Sequence, residues 1–201
     1  MRNKKIRSMV LTAMFIALMT LMTFVPQIGF IQITPVIAFT LLHIPVLVGA
    51  YLYGWKYGLV LGFAFGVLSF LRALISPTTV LDAMFVNPLI SIVPRILFGL
   101  AAGFFFELLR KFKSIYVRWI FVALSCAVLT IFHSTLVLTM LGLFEGPGIA
   151  AGSGSTYWAL MGTIIGTNGV SEAVVAFILV PLICFALMKA SGQKTIEKRA
   201  K

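Results

Sequence analysis

The sequence predicts an all-α membrane protein with six transmembrane helices and both termini in the cytoplasm. Composition is the first reason: 61% of the 201 residues are hydrophobic and only 10% are charged, whereas an ordinary soluble domain has about 25% charged residues. The second reason is length, because six apolar stretches each approach the roughly 20 residues that a helix needs to cross a bilayer. The third is the alternation of positive charge along the chain. Together these observations exclude an ordinary soluble domain.

The six predicted helices form a single integral membrane domain over residues 1–201. Their predicted bounds are residues 8–25, 35–53, 57–75, 89–109, 117–143 and 157–188. Basic residues precede the first helix, as they do in a secretory signal peptide. Its apolar run is longer than a signal core, however, and no small-x-small cleavage site follows before Val25. We therefore interpret it as a retained helix.

Fourteen of the sixteen Lys and Arg residues fall into four clusters, and such residues are enriched in the cytoplasmic segments of membrane proteins. The clusters are Arg2, Lys4, Lys5 and Arg7; Lys56; Arg110, Lys111, Lys113 and Arg118; and Lys189, Lys194, Lys198, Arg199 and Lys201. The chain crosses the bilayer twice between successive clusters, so residues 27–34, 76–88 and 144–156 are predicted to lie outside. Orientation and attraction to anionic lipid explain the net charge of +11 without a nucleic acid.

Small residues recur every four positions in several predicted helices. They are Gly54, Gly58, Gly62 and Gly66 on the third helix, Gly99 and Gly103 on the fourth, and Gly162 and Gly166 on the sixth. Residues four apart share a helix face, and helices in lipid approach closely where side chains are small, so we interpret these glycines as packing seams. Ala13 and Ala17 on the first helix fit either an intramolecular seam or a docking face for another subunit.

Polar residues inside the predicted helices are few, and most converge on the outer half of the bundle. At 1.5 Å per residue, their depths below the outer surface are roughly 6 Å for Arg72, 10 Å for Arg95, 12 Å for His43 and 15 Å for His133 and Asn168. Such groups are costly in lipid and commonly mark a functional site. We therefore predict a substrate site near the outer surface.

Arg95 is the most informative of these residues. Its guanidinium stays charged and presents a planar fork suited to a carboxylate or phosphate, and the preceding Pro94 predicts a kink or restart of the helix. Glu172, the acid placed deepest in a predicted helix, lies roughly 21 Å below the outer surface, which disfavours a direct ion pair. We expect Arg95 to face an anionic ligand, with an internal ion pair as the alternative.

The other predicted substrate-site residues carry weaker signals. Asn168 lies in a Gly-Thr-Asn-Gly interruption of the sixth helix and offers two amide donors and an acceptor. His43 and His133 fit hydrogen bonding to neighbours or to substrate, and no metal site is predicted, because no third ligand has suitable spacing. Arg72 fits substrate binding or snorkelling to the outer interface.

Two residues and two outer segments complete the predicted site. Tyr157 supplies a hydroxyl, and Glu172 could hold a proton, pair with another group or bind substrate. The outer segments at residues 26–32 and 143–156 are rich in turn-forming residues. Both could fold over an external cavity, and the second fits a flexible connector equally well.

Two stretches resemble a known family. Residues 43–62 read HIPVLVGAYLYGWKYGLVLG, and residues 94–97 read PRIL with Gly99 and Gly103 after them. They are similar to the substrate-binding S components of energy-coupling factor (ECF) vitamin transporters, most of all to the branch containing the pantothenate and hydroxymethylpyrimidine proteins. Length, six helices, cytoplasmic termini and the small residues at Ala13 and Ala17 also match.

The resemblance implies a mechanism. S components capture a vitamin outside the cell and dock, through the small-residue face of the first helix, onto a transmembrane T subunit that carries two ATPases. ATP hydrolysis then turns the S component so that the vitamin faces the cytoplasm. This chain has no Gly-x-x-x-x-Gly-Lys-Ser/Thr motif, so the resemblance implies a multi-pass plasma-membrane protein that is not an enzyme. ATP and Mg²⁺ are then used by the partner ATPases, with no cofactor in this chain.

Pantothenate is the vitamin that the polar residues favour. Its carboxylate suits Arg95, and its hydroxyl and amide groups suit Asn168, His133 or Tyr157. Hydroxymethylpyrimidine, which carries no anion, and other vitamins are alternatives. A proton-coupled secondary transporter is an alternative of a different class, with Glu172 and His133 as proton carriers, although the sequence has no convincing internal repeat.

Overall fold

The structure, a computed structural model, describes residues 2–25, 28–32, 38–77, 80–110, 114–153 and 156–190. Within these ranges it is helical apart from one short antiparallel ribbon. The helices are α1 (Arg2–Phe24), α2 (His43–Tyr53), α3 (Trp55–Ile75), α4 (Val80–Met84), α5 (Pro88–Ser91), α6 (Val93–Leu109), α7 (Ile115–Ser153), α8 (Tyr157–Ile164) and α9 (Val170–Ala190). The ribbon pairs β1 (Phe30–Gln32) with β2 (Ala38–Thr40).

Five segments of the described chain are long and apolar enough to cross a membrane. They are Ile6–Phe24, Trp55–Ile75, Pro88–Leu109, Tyr116–Ile149 and Tyr157–Ala190. These segments make the chain a helical membrane protein, as the composition predicts. Their bounds differ from the predicted ones by only a few residues, except at the C-terminal end of α7.

The second predicted helix, at residues 35–53, is shorter in the structure. The helix α2 has 11 residues, or about 16 Å at the helical rise, against a bilayer core of about 30 Å. The predicted first part of this helix is wrong for residues 38–40, because they pair with β1 instead. Apolar composition alone does not distinguish a buried strand from a helix.

The helix α2 is enclosed by other helices. Every residue from His43 to Tyr51 is buried, within a core to which α3, α6, α7 and α9 contribute side chains. At Gly54 the chain turns sharply into α3 with a φ of 93°, a value that residues with a side chain rarely adopt. The turn predicted around Lys56 is therefore present.

The helices α3 and α6 pack backbone against backbone along the predicted glycine seam. A Cβ on Gly58 would meet the carbonyl oxygen of Gly99, and a Cβ on Gly62 would meet the carbonyl oxygen of Arg95. The seam prediction is confirmed for these helices. It is wrong for Gly162 and Gly166, because no atom of the described residues lies within 4 Å of a Cβ at either position.

The outer segment predicted as a loop at residues 144–156 is largely helical. The helix α7 continues through Pro147 and ends at Ser153. Ile149 of this extension packs into a buried cluster with Tyr157 of α8. Tertiary packing therefore outweighs the local preference of Gly and Pro for a turn.

Two predicted helix interruptions are present. The chain breaks at Ile92 between α5 and α6, next to Pro94. Between α8 and α9, Ile165–Gly169 forms a π-helical segment that buries Asn168, a distortion that often occurs at functional sites.

Several predicted features lie outside the described residues. They are Pro26 and Gln27, the start of the second predicted helix at residues 35–37, Lys111 and Lys113, residues 154–155, and Lys194, Lys198, Arg199 and Lys201.

Candidate functional site

Arg95 is anchored at the break between α5 and α6. Its Nη1 donates a hydrogen bond to the carbonyl oxygen of Ile90 at 2.6 Å. In a continuous helix that oxygen would accept from the N–H four residues later, but Pro94 has no N–H to donate. The guanidinium takes the place of the missing donor. The proline that interrupts the helix thus also fixes the position of Arg95.

The guanidinium of Arg95 lies against aromatic rings. It is 4.7 Å from the ring centroid of Phe85 and 5.6 Å from that of Phe65. The residue is 6% exposed, and its Nε has no hydrogen-bond partner. Among the described residues, no carboxylate forms an ion pair with Arg95. A buried cation normally requires a counter-ion, so this arrangement suits an anionic ligand.

His133 of α7 lies against Phe65, and His43 of α2 lies beside His133. Their own ring centroids are 6.4 Å apart and stacked, and His133 contacts Phe65 and Phe98 at centroid distances of 5.4 and 4.7 Å. Both histidines are buried, and neither ring nitrogen of His133 has a hydrogen-bond partner. Because buried polar atoms are normally paired, the His133 nitrogens suit a hydroxyl or amide group of a ligand.

Glu172 of α9 connects to the ribbon. Its Oε1 accepts a hydrogen bond from the backbone N–H of Thr40 at 2.6 Å, and the residue is 4% exposed. Ser134 of α7 lies beside the carboxylate, and Arg95 interacts with it electrostatically without an ion-pair contact. Among the described residues no ion pair joins Arg95 and Glu172, although both side chains are buried and interact electrostatically.

Arg72 is buried at the end of α3 rather than extended to the surface. It is 7% exposed, and its Nη2 lies 3.5 Å from Oδ2 of Asp82 on α4. The snorkelling interpretation is wrong, because Asp82 binds the side chain within the protein. Asp82 also interacts electrostatically with Arg95. It falls in a predicted outer loop, where no periodicity indicated a partner for Arg72.

Asn168 and Tyr157 are placed differently. Asn168 is buried in the π-helical segment. The hydroxyl of Tyr157 donates a hydrogen bond to the carbonyl oxygen of Leu138, and its ring covers Gly142. The Tyr157 hydroxyl is thus already hydrogen-bonded to α7. By contrast, one buried region is surrounded by the side chains of Arg95, His43, His133 and Glu172.

Sequence reasoning missed the aromatic residues of this region. Phe98 follows Arg95 by three residues, and Phe65 follows Gly62 by three, so each lies on an already identified helix face. Helical spacing could have found them. Phe85 lies between helices, and no pattern marked it. In the described ranges, no group of three or more His, Cys, Asp or Glu residues could hold a metal ion.

The fold and the buried polar residues define the class of protein. The chain is an integral membrane protein whose helices enclose a buried arginine, two histidines and a carboxylate. Comparison with known proteins then identifies the family. Residues 7–184 match the family model described as ECF transporter, substrate-specific component. The chain therefore belongs to this family.

Two relatives are pantothenate transporters by name. The chain is 30% identical over 208 residues to the pantothenic acid transporter PanT of Lactococcus lactis subsp. cremoris, with 94% of this chain and 98% of the relative covered. It is 33% identical over 110 residues to the pantothenate transporter PanT of Leuconostoc mesenteroides subsp. mesenteroides, with 53% and 54% covered.

Proposed function

We propose that this chain is an S component that captures pantothenate outside the cell and delivers it inward with a transmembrane T subunit and two ATPases. Family membership supports the role, and the names of the relatives support the vitamin. The partner ATPases use ATP and Mg²⁺, and this chain supplies neither. The observation that carries the proposal is the buried guanidinium of Arg95, which has no ion-pairing carboxylate among the described residues.

The proposed ligand pose follows from the donors around Arg95. The pantothenate carboxylate pairs with the guanidinium, which has donors left after its bond to Ile90. The hydroxyl and amide groups of the vitamin reach His133, His43 and Asn168. Arg72 supports the site through Asp82. Tyr157 supports it by holding α8 against α7.

The proposed topology has six crossings: the five long apolar segments and α2, which is the core of the second crossing along the chain. Both termini lie in the cytoplasm of a plasma-membrane protein. The positive clusters support this orientation. So does a contact of one cluster with the helix that precedes another: Nη2 of Arg110 donates a hydrogen bond to the carbonyl oxygen of Tyr51, five residues before Lys56, at 2.6 Å. The end of α6 therefore lies beside the turn that contains Lys56, as expected for two segments on one side of the bilayer. The whole chain forms one membrane domain.

Calorimetric titration of the purified chain tests the proposed substrate. We expect one-to-one binding of pantothenate, and weaker or no binding of hydroxymethylpyrimidine, folate, riboflavin and biotin measured in parallel. Preferred binding of hydroxymethylpyrimidine would retain the S-component role but contradict the role of Arg95 in recognising an anion. If no vitamin binds, and proton-driven uptake by the isolated chain is observed, the secondary-transporter alternative replaces the proposal.

The first helix has an outward-facing surface that suits the T subunit. Ala13 and Ala17 are exposed, while Thr12 and Met19 on the other face are buried. This placement favours a docking face over an intramolecular seam, since small exposed residues let another helix approach closely. We propose that the T subunit binds here.

Replacing Ala13 with leucine is expected to block transport while pantothenate binding persists. The larger side chain overpacks the docking face by about 1–3 kcal/mol, which predicts an about tenfold to hundredfold loss of uptake. Uptake is measured in proteoliposomes that also contain the T subunit and both ATPases, and binding is measured by calorimetry. Ala186→Leu, at an exposed alanine of α9, is the control and should transport normally. Lost binding in Ala13→Leu would contradict the docking role.

A further inference from the structure

The charged groups around the proposed site balance each other. Arg72 pairs with Asp82, and Arg95 interacts electrostatically with Glu172 across a gap. Among the described residues of the other helices packed around the site, the histidines are His43 of α2 and His133 of α7. With both histidines neutral and Glu172 ionised, the net formal charge of this region is zero.

An anionic ligand disturbs this balance. A carboxylate bound to Arg95 adds a second negative charge to a region that already contains Glu172. Both Arg95 and Glu172 are buried, so water screens neither charge well, and an uncompensated charge in such surroundings is costly. Taking up one proton would restore neutrality.

We infer that binding of pantothenate is coupled to the uptake of one proton at Glu172. The inference rests on the proposed function. Apart from the Arg72–Asp82 pair, a proton on Glu172 leaves two opposite charges in the site, those of Arg95 and the ligand. A proton on His133 would instead leave four buried charges and would place a second cation near Arg95. The fewer charges are buried, the smaller is the desolvation cost, which favours Glu172.

The hydrogen bonds of Glu172 are compatible with a neutral carboxyl group. Its Oε1 accepts from the backbone N–H of Thr40, and a carbonyl oxygen of a protonated carboxyl accepts equally well. The added proton turns the other oxygen into a donor, and Ser134, whose hydroxyl can accept, lies alongside. The connection between β2 and α9 therefore persists in both protonation states.

Calorimetry of the wild-type chain measures the coupling directly. Titration with pantothenate at an alkaline pH where Glu172 of the free protein is ionised, in two buffers of different ionisation enthalpy, is expected to show an uptake of about one proton per ligand bound. Because a proton is bound together with the ligand, affinity falls as pH rises. The dissociation constant should increase about tenfold per pH unit where free Glu172 is ionised and bound Glu172 is protonated.

Two further measurements assign the proton to Glu172. The infrared difference spectrum between bound and free protein should gain the carbonyl band of a protonated carboxyl group, and ¹³C-labelling of the pantothenate carboxylate should not shift it. Glu172→Gln, which keeps the Oε1 acceptor and resembles the neutral form, should bind pantothenate without proton uptake. Glu145→Gln, at a carboxylate of α7 outside the site, should retain the uptake.

The outcomes separate this inference from the proposed function. Binding by the wild type without proton uptake, uptake that persists in Glu172→Gln, or a carboxyl band that shifts with the labelled ligand would each overturn the inference and leave the substrate unchanged. If Glu172→Gln does not bind pantothenate, the infrared spectrum of the wild type decides whether the proton is taken up by a carboxyl group of the protein. If the wild type does not bind pantothenate at all, both proposals fail.

Discussion

Replacing Arg95 with alanine is expected to abolish measurable pantothenate binding. The proposed contact is a buried pair between a guanidinium and a carboxylate, and removing one partner of such a pair costs about 3–5 kcal/mol. That loss corresponds to a dissociation constant about two to four orders of magnitude higher. Calorimetric titration measures it. Arg95→Lys should bind with intermediate affinity, because it keeps the charge and loses the planar fork.

The chain offers a matched control at the other end of the same helix. Arg110 also donates a hydrogen bond of 2.6 Å to a backbone carbonyl oxygen, that of Tyr51. Arg110→Ala therefore removes the same kind of bond, without touching the proposed site, and should retain pantothenate affinity. If Arg95→Ala folds and binds pantothenate as tightly as the wild type, Arg95 serves the fold. Its guanidinium is then stabilised by the aromatic rings and the Ile90 carbonyl alone, without a ligand anion.

The features that the sequence predicted well are those with local causes. A long apolar run determines a membrane-spanning helix by itself. The glycines of α3 determine one helix contact, and the proline before Arg95 determines one helix break. Hydropathy and a spacing of four residues therefore reveal them. The prediction that Arg95, His43 and His133 converge depended on helix depth alone, and the structure brings them into one buried region.

The features that the sequence did not predict depend on contacts between distant parts of the chain. Residues 38–40 are apolar enough for a helix and become a strand because β1 is there to pair with them. Asp82 binds Arg72 from a segment without periodicity. Gly162 has the same spacing as the α3 glycines, but no described residue lies within 4 Å of a Cβ there. Spacing identifies a face, and only the fold determines whether another helix covers that face.

This difference between glycines leads to the second large expected effect, for Gly62→Val. A Cβ at this position meets the backbone carbonyl of Arg95, which cannot move aside as a flexible side chain could. Overpacking of this kind costs about 1–3 kcal/mol and occasionally more. We expect a clear fall in the thermal unfolding temperature of the detergent-purified chain. Gly162→Val is the matched control, because it makes the same change at a position where no described residue lies within 4 Å of the Cβ.

The affinity of the two variants tests whether the seam also positions the site. Both substitutions introduce the same β-branched side chain, so their intrinsic effects on helix formation largely cancel. Only Gly62→Val displaces the backbone of Arg95, and its pantothenate affinity should fall below that of Gly162→Val even at temperatures where both are folded. Equal unfolding temperatures would contradict the packing argument. A lower unfolding temperature with unchanged affinity would mean that Pro94 and the Ile90 carbonyl hold Arg95 in place without help from α3.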